Sequence, residues 1–131
     1  MSECEFSHRY FYYTTSHEWI QILDTEAYIG VSQFRLANAK QIKKITFHKI
    51  YGNKKKGEVL ATIWYDYQKI SVHMPVDGKI IMLNDVHLLV NQKLLLSDAE
   101  KDGWIVKIRF DQPLQTEGLL SRKEYALKSK T

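Results

Sequence analysis

The chain of 131 residues has a single cysteine, Cys4, so no internal disulfide can hold it together. Two prolines and six glycines leave no room for a Pro/Gly-rich low-complexity segment. No apolar run approaches the ~20 residues that cross a bilayer as a helix. The opening MSECEFSHRYFYYTTSHEW lacks the basic start and apolar centre of a secretory signal. A soluble protein in the cytoplasm, without membrane contact, is the expectation. Chemical motifs are missing too: there is no phosphate-binding glycine loop, no dinucleotide fingerprint, no nucleophile elbow and no paired cysteine. His17-Glu18 begins like a zinc-helix motif, but Gln21 stands where the second histidine belongs. The five histidines, His8, His17, His48, His73 and His87, are dispersed and read as surface or hydrogen-bonded residues. No catalytic residue and no metal ligand is therefore expected, and the chain does not read as an enzyme.

What is present describes a folded domain. With 44% hydrophobic, 12% aromatic and 26% charged residues, one domain over 1–131 is expected, with 1–11 flexible and 127–131 a tail. The net charge of +4 is unevenly spread: Lys40 to Lys56 holds seven lysines and no acid. Within it, Lys43, Lys44, Lys54, Lys55 and Lys56 form a basic patch, either a solvated face or a contact for an acidic partner or phosphate backbone. Phe47 and Tyr51 lie close enough in sequence to offer base stacking.

The segments EWIQIL and EAYIGV, separated by Asp24-Thr25, read as a hairpin. Trp19, Ile20 and Ile22 do not all fit one face of that strand, so apolar surface is expected on its outer side. Ser32 is a candidate N-cap for a short helix over 33–41. Strands follow at 42–47, in EVLATIWY and over 69–74, and Asp77-Gly78 reads as a type I′ hairpin turn. Ile80–Leu83, Leu88–Leu96 and Trp104–Phe110 add further strands, and SDAEKDG an acidic loop. Ser121-Arg122-Lys123-Glu124 matches a capping box opening a helix over Arg122–Leu127. Trp19, Trp64 and Trp104 are read as core or half-buried sheet residues. Seven or more short strands with two small helices point to a sandwich or barrel.

An ordered set of fragments carries a resemblance. Tyr13-Thr14-Thr15-Ser16-His17-Glu18-Trp19-Ile20 and Ala27-Tyr28-Ile29-Gly30-Val31-Ser32 open it. Lys56-Gly57-Glu58-Val59-Leu60-Ala61, Pro75-Val76-Asp77-Gly78-Lys79-Ile80, Leu89-Val90-Asn91 and Gly103-Trp104-Ile105-Val106-Lys107-Ile108 follow, and Leu119-Leu120 and Tyr125 close it. Over about Tyr12–Tyr125 the chain resembles the glycine cleavage system H proteins. The resemblance implies a mainly β, lipoyl/biotinyl-type hybrid barrel-sandwich with one short internal helix and a short C-terminal helix. It implies a carrier in which a lysine at a hairpin tip holds lipoate by an amide and presents it to the glycine cleavage enzymes.

At that lysine the chain departs from the family. The family reads Glu-Ser-Val-Lys-Ala there, whereas counting ten on from Gly57 or eight back from Pro75 reaches Tyr67, in Trp64-Tyr65-Asp66-Tyr67-Gln68. A phenol cannot form the lipoyl amide, so no cofactor is expected unless Lys69, two residues on, serves as acceptor. The segment from Asn84 to Asn91 is also shorter than the family's, and Ala39-Lys40-Gln41 replaces its Leu-Gly-Asp, making an acidic surface basic. The leading expectation is a non-lipoylated accessory or binding module, with Trp64, Tyr65, Asp66 and Tyr67 as tip contacts for a protein partner, including glycine-cleavage or lipoate-related enzymes. Two alternatives stand behind it: a working carrier lipoylated on Lys69, and a basic module for nucleic acid or another polyanion.

Overall fold

The computed structural model describes residues 11–37, 39–48, 52–85, 88, 91, 93–97, 99–101, 103–111 and 117–129. The readings made above for Cys4, His8, Lys49, Tyr51, His87, Leu89-Val90 and residues 130–131 fall outside them. The elements run β1 (Phe11–Tyr13), β2 (Glu18–Leu23), β3 (Glu26–Val31), β4 (Ile42–Phe47), β5 (Gly52–Lys54), β6 (Val59–Tyr65), β7 (Gln68–His73), β8 (Gly78–Leu83), α1 (Leu94–Ser97), β9 (Val106–Arg109), β10 (Leu120–Ser121) and α2 (Arg122–Ser129). They form a seven-stranded sheet ordered β10-β1-β2-β3-β9-β8-β5 and a three-stranded sheet ordered β4-β6-β7. Every pairing among them is antiparallel. Ile20, Ile29, Val106 and Ile108 of the large sheet share one buried cluster with Ile63, Ile70 and Val72 of the small one. The alternation of strand side chains thus supplies a main core shared by the two sheets. No described helix is long and apolar enough to cross a membrane.

The hairpin read at Asp24-Thr25 is present, with Leu23 opposite Glu26 and Asp24 at φ 65°. Its first strand is buried on both sides. Ile20 faces the main core, while Trp19 joins Phe11, Tyr13 and Tyr125 in a second buried cluster. The outer apolar surface expected on β2 is therefore covered. Phe11, expected in a flexible segment, is buried in β1 and stacks on Trp19 at 5.1 Å. Tyr13 stacks on Tyr125 of α2 at 4.2 Å, and its hydroxyl donates to Glu100 Oε1 at 2.6 Å. Burial, reinforced by that carboxylate, pushes the Tyr13 phenol well above its ordinary pKa.

The capping box forms as read: Ser121 N–H donates to Glu124 Oε1 at 2.9 Å and Glu124 N–H to Ser121 Oγ at 3.2 Å. The helix it opens continues to Ser129, beyond the predicted Leu127.

Three local readings are corrected. Over 33–37 the chain makes turns, with Arg35 N–H to Ser32 O and Ala37 N–H to Phe34 O at three-residue spacing. Leu36 alone of 33–37 is buried, so there is no apolar stripe to reward a helix there. Leu88–Leu96 holds no described strand; it ends in α1, and Leu88 and Leu95 both enter the core. A dense apolar run carries no period-2 signal to separate these outcomes. The Asp77-Gly78 pair is not a hairpin turn, because β7 and β8 lie in different sheets and Gly78 has no positive φ. Glycine is required there by close approach: a Cβ would lie 2.9 Å from Ile108 Cδ1 and 3.1 Å from the Arg109 carbonyl.

Two predictions come from this packing. Gly30 lies across from Trp19, and a Cβ at Gly30 would sit 2.6 Å from the indole. Gly30→Ala should lower stability in urea unfolding by roughly 1–3 kcal/mol, the usual cost of overfilling a packed site. His17 Nδ1 lies 2.6 Å from Tyr125 Oη, which is also 2.6 Å from Ser32 Oγ. Burial, then the charge of Arg35, lower the His17 pKa below 6.5. A base with a lowered folded pKa stabilises the native state above the unfolded value and loses that contribution as pH falls. Chemical-denaturation stability should therefore drop below about pH 6.5, and His17→Gln should flatten that drop.

Candidate functional site

The hairpin joining β6 and β7 holds Trp64, Tyr65, Asp66, Tyr67 and Lys69, the residues that the sequence reading singled out. Tyr65 pairs with Gln68, leaving Asp66 and Tyr67 as the two turn residues. Asp66 sits at φ 49°, a left-handed conformation that aspartate tolerates better than most residues. Its carboxylate holds the turn against the chain that leads into β4. It accepts the Lys40 N–H at 3.2 Å and the Gln41 N–H at 2.9 Å, while Asp66 N–H donates to Gln41 O at 3.0 Å. A side-chain acceptor and a backbone donor thus fix the turn on both edges. Tyr67, at the apex, is 102% exposed.

The four tip residues do not form one aromatic cluster. Along β6 the side chains alternate: Ile63 faces the core, Trp64 the outside, and Tyr65 packs at the margin of the core. Trp64 is 38% exposed, contrary to its reading as a core or half-buried residue. Tyr65 Oη lies 3.3 Å from Gln68 Oε1. On the outer face, Lys44 of β4, Trp64 of β6 and Lys69 of β7 occupy one cross-strand rung. The Lys69 ammonium lies 4.9 Å from the centre of the Trp64 ring, within cation–π range. Lys69 is therefore an outward-facing residue of β7, two positions beyond the apex.

The basic patch read from the sequence divides. Lys43 and Lys44 lie in β4 near the tip. Lys55 and Lys56 flank the turn at Gly57, before β6, at the opposite end of the same hairpin. The five residue-to-residue steps from Val59 to Trp64 correspond to about 16 Å of strand. Lys54 leaves the patch altogether. It is 4% exposed, its ammonium donating to the Val59 carbonyl at 3.0 Å with Glu58 3.9 Å away. A long apolar stem and a locally satisfied head explain how one lysine of the run is buried. Lys56 is also engaged, through its amide to Asp77 Oδ1 at 2.7 Å and its ammonium to Glu117 O at 3.0 Å.

Two carboxylates, Glu18 and Glu100, join segments of the fold in a way that the sequence reading did not foresee. Glu18 is buried and accepts bonds from the Thr14 and Ser16 hydroxyls and from His73 N–H at 3.1 Å, with His73 Nδ1 at 3.1 Å. Glu100 accepts from Tyr13 and from Gln33 N–H at 2.8 Å. Their partners are far apart in sequence, so no local pattern announces them. Of the described histidines, His17, His48 and His73 each have a hydrogen-bond partner in Tyr125, Thr62 and Glu18. Among the described residues no group of three His, Cys, Asp or Glu side chains is placed to hold a metal ion.

Comparison with known proteins agrees with the fold. The chain matches the glycine cleavage H-protein family over residues 11–131. It is 31% identical over 113 residues to the probable glycine cleavage system H protein of Aeropyrum pernix, covering 86% of this chain and 78% of that one. To the glycine cleavage system H protein of Thermotoga maritima it is 29% identical over 113 residues, covering 86% and 90%. The crystal structure of a glycine cleavage system H protein from Mycobacterium marinum superposes with a TM-score of 0.80 at 18% identity, covering 93% of this chain and 98% of that one. The mainly β architecture expected from the resemblance holds, although hydrogen bonding does not close the two sheets into a barrel. With the ordered fragments, the architecture and the family match in agreement, this chain belongs to the glycine cleavage H-protein family.

Proposed function

We propose that this chain is a family member without the lipoyl arm, a cytoplasmic binding module that engages a protein partner and carries no cofactor. It is not an enzyme. The observation that carries this reading is the braced tip with Tyr67 at its apex. Attachment of lipoate requires a primary amine at the position a ligating enzyme reaches, and the apex offers a phenol. The amine nearest in sequence, on Lys69, stands beside Trp64 rather than at the turn.

Bringing Lys69 to the apex would shift the β6–β7 pairing. A one-residue slip turns the core face of a strand outward, and a two-residue slip uncouples the Ile63–Ile70 pair. It would also strip the Lys40 and Gln41 amides of the Asp66 carboxylate. These costs fall on the same segment, so the register that leaves Tyr67 at the apex is strongly favoured. The expected partners remain proteins of glycine cleavage or lipoate metabolism, since the cations are too divided between the hairpin's two ends to follow a nucleic-acid backbone.

Two outcomes test this reading. After co-expression with a lipoate ligase and lipoate, intact-mass spectrometry should find the chain unmodified, while Tyr67→Lys should gain one lipoyl increment. A lipoyl group mapped to Lys69 of the unaltered chain would overturn the proposal and restore the carrier. Asp66→Ala should cost about 1 kcal/mol and speed hydrogen exchange at the Lys40 and Gln41 amides, leaving exchange at Ile63 little changed.

A further inference from the structure

The outer face of the small sheet combines two features that the sequence keeps apart. Lys44, Trp64 and Lys69 are consecutive residues of one rung, on three neighbouring strands about 4.8 Å apart. All three are exposed. The next rung, Thr46, Thr62 and Ser71, carries only hydroxyls, and His48 closes over it with its ring nitrogen 2.7 Å from Thr62 Oγ1. From 39 to 48 and from 59 to 73 the sole acid is Asp66, whose carboxylate takes the Lys40 and Gln41 amides. Lys40 and Lys43 are exposed beside this rung. Among the described residues of β4, β6 and β7 and the turn between β6 and β7, the tip end of the sheet is thus an indole bounded by lysines, with Asp66 its one carboxylate and the exposed Tyr67 ring at its margin.

We propose that the rung Lys44–Trp64–Lys69 is a docking surface for an acidic segment of a protein partner, with an apolar side chain of that segment set against the indole and its carboxylates paired with the flanking lysines. Charge complementarity selects the occupant. An aromatic anchor within a ring of polar groups is the form in which a small protein contact concentrates its energy. A single nucleic-acid strand is less well matched: it needs aromatic faces free for stacking and cations tracking several phosphates. Here Lys44 and Lys69 flank a single indole on one rung and do not extend along a strand path. The inference rests on the reading that the tip is unlipoylated, because an acylated Lys69 would lose its charge.

The test uses the full chain, after its mass has established that it is unmodified. The probes are a Glu-Glu-Phe-Glu-Glu peptide, its Gln-for-Glu counterpart and a short oligothymidylate, followed through backbone and indole N–H resonances. The acidic peptide should shift the Trp64 indole and the Lys44 and Lys69 amides, and leave the buried Trp19 indole in place. Its affinity should fall several-fold between about 50 and about 300 mM salt. Lys44→Glu and Lys69→Glu, both at exposed positions, should each weaken binding by about threefold to fivefold or more, and Trp64→Ala by about tenfold. Equal binding of the uncharged peptide, preference for the oligothymidylate, or no shift at Trp64 would each overturn the proposal. A dimer that dissociates on Lys69→Glu would also overturn it, by assigning the face to a second copy. A lipoylated mass would instead remove the prior reading, so the two failures are distinguishable.

Discussion

The carboxylate of Asp66 accepts the amides of Lys40 and Gln41, and its own amide returns a bond to Gln41. That exchange ties the β6–β7 turn to the segment entering β4, so all three strands of the small sheet share a fixed register at the tip. The position of every other tip group follows. Tyr67 stands at the apex, Trp64 points outward, Ile63 and Ile70 face the core, and Lys69 is held opposite Trp64. A hairpin alone gains little from its two strands. Bracing from a third strand's entry gives this one a defined apex.

Much of the fold was legible where one local signal sufficed. The alternation around Asp24-Thr25 gave the β2–β3 hairpin, and Ser121 with Glu124 gave the start of α2. The position of Tyr67 came from counting between Gly57 and Pro75, and the structure places that residue in a two-residue turn. The errors share a different origin. Ser32 does cap a turn, but a helix needs an apolar stripe that 33–37 lacks. Asp77-Gly78 has the composition of a tight turn, yet the glycine is there because Ile108 approaches it from another strand. Leu88 and Leu95 are core residues whose secondary structure no short-range pattern fixes.

The candidate site was legible as a list of residues and illegible as a surface. Seven lysines between Lys40 and Lys56 read as one basic stretch, but the chain folds back within it and sends its cations to opposite ends of β6. Lys54 satisfies its ammonium on Val59 O and is withdrawn from solvent. Lys69, outside the run, takes a place beside Lys44 because β6 lies between their strands. Sheet pairing, which is non-local, decides which charges act together. The same holds for Glu18 and His73, which meet only when the two sheets do.

The second buried cluster draws Phe11, Tyr13 and Trp19 from one end of the described chain and Tyr125 from the other. β1 is also hydrogen-bonded to β10, which leads directly into α2. During synthesis, the aromatic residues of β1 and β2 emerge while Trp104, Leu120 and Tyr125 of their cluster are still untranslated. The indole of Trp19 lacks even its acceptor until Ala99 has been made. Completion of this aromatic cluster therefore waits for the segment that carries Tyr125, a ring closed by α2. Until that closure the growing chain exposes an aromatic surface of the kind that molecular chaperones bind.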